Sequence, residues 1–153
     1  MKTIYVLGLV FALSYSHIMC VNAVQPIYIS RTLNGSFIEI TEKVKVSLKT
    51  QGFSVISEID MHEKLSEKLE NIDMQPYLIL GVCNPEYAYN SLQVEENIGV
   101  FLPCKVIIRQ IDKSTHEVVF ADPVMVMKVL NNPELLDISQ KVKTLLQKTM
   151  DEL

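Results

Sequence analysis

The stretch YLILGVCNP, residues Tyr77–Pro85, decides the fold that this sequence predicts. Its first seven residues form a continuous apolar run, which is typical of a strand that lies inside a sheet and is buried on both faces. Asn84 is a preferred helix N-cap, and Pro85 suits the first helical position because no backbone N–H is needed there. The stretch therefore predicts an interior strand that leads directly into a helix.

The residues before this strand predict two further strands, each followed by a helix. Ile27–Leu33 predicts the first strand, and Ser36 with Glu39 has the form of a capping box that starts the first helix. Apolar residues follow at helical spacing, and Gly52 marks the end of this helix. Alternation over residues 53–59 predicts a half-buried second strand, and a short second helix follows it.

The residues after the central stretch predict a hairpin and a closing helix. Cys104–Ile111 and Glu117–Ala121 form the two strands of the hairpin. Pro123 ends or bends the second of them, with residues 124–129 as its continuation. Asn132-Pro133 repeats the pattern of N-cap and proline and starts an amphipathic helix. The elements predict an α+β domain, with helices segregated to one face of a mostly antiparallel sheet.

The N-terminus predicts an export signal. Lys2 supplies a positive charge, Ile4–Leu13 an apolar run, and Val21-Asn22-Ala23 a small-x-small cleavage site. Residues 1–23 are therefore a predicted signal peptide, a retained N-terminal anchor being the alternative, and residues 24–153 are a predicted single domain. We expect a periplasmic or extracellular protein without stable membrane insertion after cleavage, because no second apolar stretch reaches the length of a membrane span.

Charge and motifs narrow the classes of function. The formal net charge is −4, from 14 Lys and Arg against 18 Asp and Glu, and no basic run is present. Nucleic acid is therefore not an expected partner, and a homodimer stays open. No nucleophile elbow and no glycine-rich phosphate loop is present. The sequence predicts no catalytic residue, no cofactor and no metal.

Five segments occur in the order found in one known family. They are Gln51–Phe53, Glu58–Asp60, Ile79–Pro85, Leu102–Val106 and Ala121–Pro123. Together they resemble the bacterial and archaeal family called domain of unknown function 302. The resemblance implies a TATA-box-binding-protein-like fold, in which helices pack on one face of a curved antiparallel sheet. It implies no activity and no DNA binding, and because many family members lack one or both cysteines, the cysteine pair carries no family-wide function.

Two cysteines of the predicted domain, Cys83 and Cys104, are the candidates for chemistry. If their strands are antiparallel neighbours, the end of one lies beside the start of the other and the thiols can meet. A structural disulfide is the leading interpretation in an oxidising compartment, and it would stabilise the fold by about 3 kcal/mol. A redox or metal site is an alternative, because helix amides after Cys83 favour a thiolate and soft sulfur binds copper or zinc. Two separate buried thiols are the third interpretation.

The remaining candidate residues surround the Asn-Pro and Asp-Pro elements. Tyr77, Tyr87, Asn84 and Asp122 are the candidate lining of a ligand site. Helix capping and packing of helices on the sheet explain the same residues without a ligand.

Neither histidine of the predicted domain indicates a functional site. His62 is expected to be solvated in a short helix and His116 in a hairpin turn. The sequence thus predicts an exported module that binds a ligand or a partner without catalysis. The alternative is a periplasmic thiol redox or metal-handling protein that acts through Cys83 and Cys104.

Overall fold

The computed structural model describes residues 26–153, and the predicted signal peptide lies outside them. The described chain contains five strands, five α-helices and two short 3-10 segments. Their bounds are β1 Tyr28–Asn34, α1 Phe37–Thr50, β2 Ser54–Asp60, α2 Met61–Ser66, β3 Tyr77–Cys83, α3 Pro85–Val94, a 3-10 segment Glu96–Val100, β4 Cys104–Gln110, β5 Thr115–Ala121, α4 Pro123–Met127, a second 3-10 segment Lys128–Leu130, and α5 Pro133–Asp151.

The strands form one sheet in the order β1-β5-β4-β3-β2, and every neighbouring pair is antiparallel. The predicted α+β class with an antiparallel sheet is confirmed. The register is continuous except in β2, where a bulge between Val55 and Ser57 shifts the pairing with β3. Within residues 26–153 the helices are all too short or too polar to cross a lipid bilayer.

Helices α1 and α5 pack on one face of the sheet and form the main core with it. Leu80, Val106, Val118 and Phe120 supply the sheet side of this core and have no solvent exposure. The helix side comes from apolar residues one helical turn apart, namely Ile40, Val44 and Leu48 in α1 and Val142, Leu146 and Met150 in α5. The two helices are also joined at their ends, because the Ser47 hydroxyl donates to a carboxylate oxygen of Glu152 over 2.6 Å.

The interior strand β3 is fully buried on its core face and partly buried on the opposite face, so the prediction of burial on both faces holds only in part. Leu80 and Val82 face the core with no exposure, whereas Ile79 is half-buried on the opposite face. Gly81 lies on that face too, and a Cβ atom there would clash with Ser57 Oγ and stand 2.8 Å from a ring carbon of Pro103. A glycine is therefore required where these two residues close over the strand.

The helix starts follow the predicted caps. Ser36 and Glu39 form the reciprocal capping box of α1, with the Ser36 amide donating to Glu39 Oε2 over 3.0 Å. The side chain of Asn84 caps α3 and that of Asn132 caps α5, each with proline as the first helical residue.

Two predictions on the C-terminal half are wrong. Residues 124–129 do not continue β5, because Asp122 caps a new helix, α4, and accepts hydrogen bonds from the Val124 and Met125 amides at 2.9 and 3.3 Å. His116 is not a solvated turn residue, since it lies in β5 on the core side and is only 1% exposed. The Asp112 carboxylate accepts from the amides of Ser114 and Thr115, which closes the turn before the strand begins.

Candidate ligand pocket beside the two cysteines

A pocket opens where the ends of β3 and β4 meet helices α3, α4 and α5. It contains about 440 Å³ of empty space, part of it open to solvent, and the centre of a water molecule fits within about 40 Å³ of it. With the side chains as they stand, that is room for about three water molecules or one small ligand. The lining residues are Phe53, Val82, Cys83, Asn84, Tyr87, Ala88, Ser91, Leu102, Cys104, Pro123, Met127, Ile138, Ser139 and Val142.

The three helices around the pocket begin in the same way. Each starts with a polar N-cap followed by proline, at Asn84-Pro85, Asp122-Pro123 and Asn132-Pro133. The caps of α3 and α4 directly follow the ends of β3 and β5, so these helices leave the same edge of the sheet. The pocket therefore lies where strands β3 and β5 end and helices α3 and α4 begin. The N-caps of these helices fix its position.

The pocket is lined by apolar groups and small neutral polar groups. None of the lining side chains in the described chain is charged. The Ser91 hydroxyl donates to the Tyr87 carbonyl over 2.8 Å, and the Ser139 hydroxyl donates to the Leu135 carbonyl over 2.6 Å. Because each hydroxyl hydrogen is already bonded to a backbone carbonyl of the same helix, the hydroxyl oxygens can accept a hydrogen bond from a ligand.

Asn84 provides the complementary donor. Its Oδ1 atom accepts from the Tyr87 amide at 3.4 Å, as the N-cap of α3. Its Nδ2 atom stands beside Gly52, where an added Cβ would be 3.1 Å away. The side-chain amide of Asn84 is thus oriented by its capping bond, and a larger residue at Gly52, whose φ is +80°, would crowd its Nδ2 atom.

The cysteines are free thiols in the structure, so the predicted disulfide is not formed. Their strands are antiparallel neighbours as expected, but the residue opposite Cys104 is Val82, one position before Cys83. Successive side chains of a strand point to opposite faces of the sheet. The offset of one residue starts the two side chains on different sides of the sheet, and this disfavours an unstrained bridge, although both residues border the same pocket at the end of the sheet.

The environment of the thiols favours their protonated form. Burial raises the pKa of Cys83, and burial raises the pKa of Cys104, with the neighbouring Cys83 raising it further. The expected stabilisation of a Cys83 thiolate by the amides of α3 is therefore outweighed by desolvation. Within residues 26–153 no group of three histidine, cysteine or acidic side chains is placed to hold a metal ion.

The structure brings together some of the predicted site residues and separates others. Asn84, Tyr87 and both cysteines line the pocket. Tyr77 lies at the opposite end of β3, where it pairs with Arg109, about 20 Å along the strand from Cys83. Asp122 stands next to the pocket without lining it, because its carboxylate caps α4 and pairs with Lys143 at 2.6 Å.

Sequence analysis named four of the lining residues as site residues and missed the other ten, among them Ser91, Ser139 and Met127. A signal existed for Ser139, which interrupts the apolar face of α5 between Leu135 and Val142 and is only 5% exposed. A small polar residue on the buried face of an amphipathic helix leaves space that a leucine would fill. Met127 had no such signal, since the helix that carries it was predicted as a strand.

Comparison with known proteins gives the family of the chain. A family model described as domain of unknown function DUF302 matches residues 29–153. The chain is also similar to the crystal structure of an uncharacterized conserved protein DUF302 from Bacillus stearothermophilus, with 30% sequence identity, a TM-score of 0.76, and coverage of 82% of this chain and 97% of that chain. No curated protein is significantly similar to the chain. These similarities establish the family and the fold, and they assign no ligand and no reaction.

Proposed function

The chain belongs to the DUF302 family, a domain of unknown function, and we propose that it is a binding module for a small, uncharged, mainly apolar ligand. The ligand occupies the pocket between the sheet end and helices α3, α4 and α5. The observation that carries the proposal is the composition of the lining, in which the described side chains are apolar or neutral.

Charge selects against ionised ligands. A charged group that leaves water for an apolar pocket loses its hydration, at a cost of several kcal/mol unless an opposite charge receives it. Lys143 and Asp122, which precedes Pro123 of the lining, already form an ion pair with each other. A neutral molecule meets no such cost and gains from contact with Phe53, Ile138 and Val142.

Hydrogen bonding selects the polar end of the ligand. The oxygens of Ser91 and Ser139 accept from a ligand hydroxyl or N–H, and the amide of Asn84 donates to a ligand oxygen. The best match is a compact apolar body that carries one hydroxyl or one amide. Both thiols have raised pKa values, which disfavours nucleophilic attack on the ligand at neutral pH and supports binding without catalysis.

Benzyl alcohol, benzoate and toluene are matched probes for this proposal. We expect benzyl alcohol to raise the thermal unfolding midpoint in proportion to ln(1 + [L]/Kd), and toluene to do so more weakly. Benzoate should have no effect at the same concentration. The measurement is thermal unfolding at several ligand concentrations, with chemical-shift changes in α3 and α5 as a second readout.

Two variants locate the binding in the pocket. Ala88→Leu fills the pocket and should abolish binding, whereas Gln93→Leu adds a leucine at an exposed position of the same helix and should leave it intact. Ser139→Ala should weaken the binding of benzyl alcohol about fivefold, which corresponds to the loss of one hydrogen bond, and should leave the binding of toluene unchanged. Equal binding of benzoate and benzyl alcohol, or full binding by Ala88→Leu, would contradict the proposal.

Export is the second part of the proposed function. It rests on the charge, the apolar run and the cleavage pattern of residues 1–23. Mass spectrometry of the natively expressed protein should give Val24, or a residue close to it, as the first residue. An intact Met1 in protein from the cytosol would contradict the proposal of export and would not affect the proposal of a ligand pocket.

The thiol alternative is redox or metal handling through Cys83 and Cys104. Both cysteines contribute to the pocket wall, which is the observation in its favour, and their offset by one residue in the strand register weighs against it. Titration of the thiols with and without reductant separates the two proposals. A protein in which both thiols stay titratable after exposure to air fits the binding module.

A further inference from the structure

A row of aliphatic side chains crosses the sheet on the face opposite to helices α1 and α5. Ile59 of β2 pairs with Ile79 of β3, Ile79 pairs with Ile107 of β4, and Ile107 pairs with Val119 of β5. The row is therefore unbroken over four strands. Strand alternation places it on the side away from Leu80, Val106 and Val118, which face the helices.

The row is not part of the core. Ile79, Ile107 and Val119 are half-buried, Ile59 is 42% exposed, and none of the four belongs to a core cluster of the residues that the structure describes. Aliphatic side chains scattered over a surface need no explanation, but a continuous row across a sheet is typical of a contact surface. We call these four residues the aliphatic row.

The residues beside the aliphatic row carry both signs of charge. Arg109 of β4 and Glu117 of β5 pair with each other and lie two residues along from Ile107 and Val119 on the same face. Arg109 Nε stands 2.8 Å from Glu117 Oε2, and the arginine side chain remains 45% exposed. Lys105, two residues along β4 on the other side of Ile107, is exposed on the same face, so the margin of the row carries two positive charges and one negative charge.

Such a surface is complementary to itself. Around a two-fold axis, each residue of one copy faces the equivalent surface of the other, so that Arg109 of each copy can meet Glu117 of its partner. A face of five strands, each about 4.8 Å from the next, and seven residues long covers about 550 Å² in each copy. Two such faces come close to the lower limit of stable protein interfaces, which is about 1,200 Å² in total.

We propose that this face of the sheet binds the same face of a second copy, with the aliphatic row as the apolar centre of the interface and Arg109 and Glu117 as its charged margin. The two sheets then stack face to face at the usual distance of about 10 Å. This proposal does not depend on the ligand pocket, which lies among the helices on the other side of the sheet.

Sedimentation equilibrium of the purified protein over a range of concentrations tests the dimer. Because the area is at the lower limit, we expect a reversible dimer with a Kd on the order of 10 μM. Ile107→Lys should weaken it by about tenfold or more. Val46→Lys is the matched control, since Val46 is an aliphatic residue of α1 that is 62% exposed on the helical side, and it should leave the dimer unchanged.

A charge swap tests the same interface without touching the aliphatic row. Arg109→Glu and Glu117→Arg each place like charges together and should weaken the dimer, whereas the double variant restores the pairing and should recover it. Circular dichroism confirms that each variant is folded. A wild-type protein that stays monomeric at about 0.5 mM, fifty times the expected Kd, overturns the proposal, and so does a dimer that neither Ile107→Lys nor Arg109→Glu weakens.

Discussion

Helix α5 closes two apolar regions that differ in how completely they are filled. Its C-terminal half packs Leu146 and Met150 into the main core, where side chains are large and exposure is almost absent. Its N-terminal half presents Ile138 and Ser139 to the pocket. One helix thus seals a filled core at one end and borders an opening at the other, and the difference lies in the size of the side chains that face it.

The pocket wall uses small residues at positions where the main core uses large ones. Ala88, Ser91 and Ser139 line the opening, whereas Leu80, Phe120 and Leu146 belong to the main core. Interiors are close-packed, and space is left where small side chains stand on the buried faces of neighbouring helices. The ligand site is therefore encoded as missing volume rather than as a reactive group.

The largest expected loss of stability comes from a substitution in the main core, which is the filled region. Phe120→Ala removes a fully buried ring and should lower the free energy of unfolding by about 3–5 kcal/mol. Met127→Ala, which borders the existing opening, should cost less than half of that, because the truncated side chain creates little new cavity surface.

Urea denaturation of both variants measures the difference, with the same m-value required for a direct comparison. Equal losses for Phe120→Ala and Met127→Ala would mean that the pocket is as tightly packed as the core, and the contrast between the two regions would fail.

The second effect concerns Asp122, which holds α4 against the pocket. Its side chain is 6% exposed, accepts hydrogen bonds from two backbone amides of α4 and pairs with Lys143 of α5 at 2.6 Å. Asp122→Ala should cost about 2–3 kcal/mol, since it removes the cap and leaves the lysine without its partner. The same substitution should also weaken the binding of benzyl alcohol, because α4 supplies Pro123 and Met127 to the pocket.

Asp112→Ala is the matched control for this prediction. Asp112 also accepts two backbone amides, but it does so in the exposed turn between β4 and β5. We expect a smaller loss of stability and unchanged ligand binding. A similar loss in both variants would show that the capping bonds dominate and that the ion pair with Lys143 adds little.

The elements that could be predicted from the sequence are those with local signals. The capping box of Ser36 and Glu39 and the Asn-Pro starts of α3 and α5 need only neighbouring residues. Helix α4 was missed because the sequence after Pro123 is rich in valine and methionine, a composition that suits a strand, and the Asp122 cap overrides that preference.

The pairing of the cysteines could not be predicted because it depends on strand register. A shift of one residue moves a side chain to the other face of a sheet, and no local signal states that Val82 rather than Cys83 is opposite Cys104. The pocket has the same difficulty. It is formed by residues far apart in the chain, such as Ala88 and Ser139, and the empty space between them is a property of the packed helices.

The third prediction adds stability at the edge of the main core. His116 lies in the core next to Phe37, with ring centres 5.6 Å apart, and its Nδ1 atom has no hydrogen-bond partner among the described residues. Burying an unsatisfied polar atom costs free energy, so His116→Leu should raise the free energy of unfolding by about 1 kcal/mol. His62→Leu, in the solvent-facing α2, is the control and should stay within about 0.5 kcal/mol of wild type. A destabilised His116→Leu would mean that an ordered water molecule satisfies Nδ1 in solution.

The smallest expected effect is a change in the pH dependence of stability caused by the two thiols beside the pocket. Burial raises the pKa of Cys83 and of Cys104 in the folded chain, whereas both thiols ionise near the ordinary value of about 8.5 when the chain is unfolded. Above that pH the folded state holds more protons than the unfolded state, so the stabilising contribution is complete below it and is lost as pH rises through the folded pKa values. Urea midpoints at pH 7.5, 8.5 and 9.5 in the presence of reductant measure this loss of stability. These pH values lie below the range in which lysines titrate, about pH 10.4.

The double variant Cys83→Ala and Cys104→Ala should show a flatter dependence of stability on pH over this interval than the wild-type protein. Equal slopes in the two proteins would mean that the thiols are solvated in solution, and the pocket would then be wetter and more open than its apolar lining indicates.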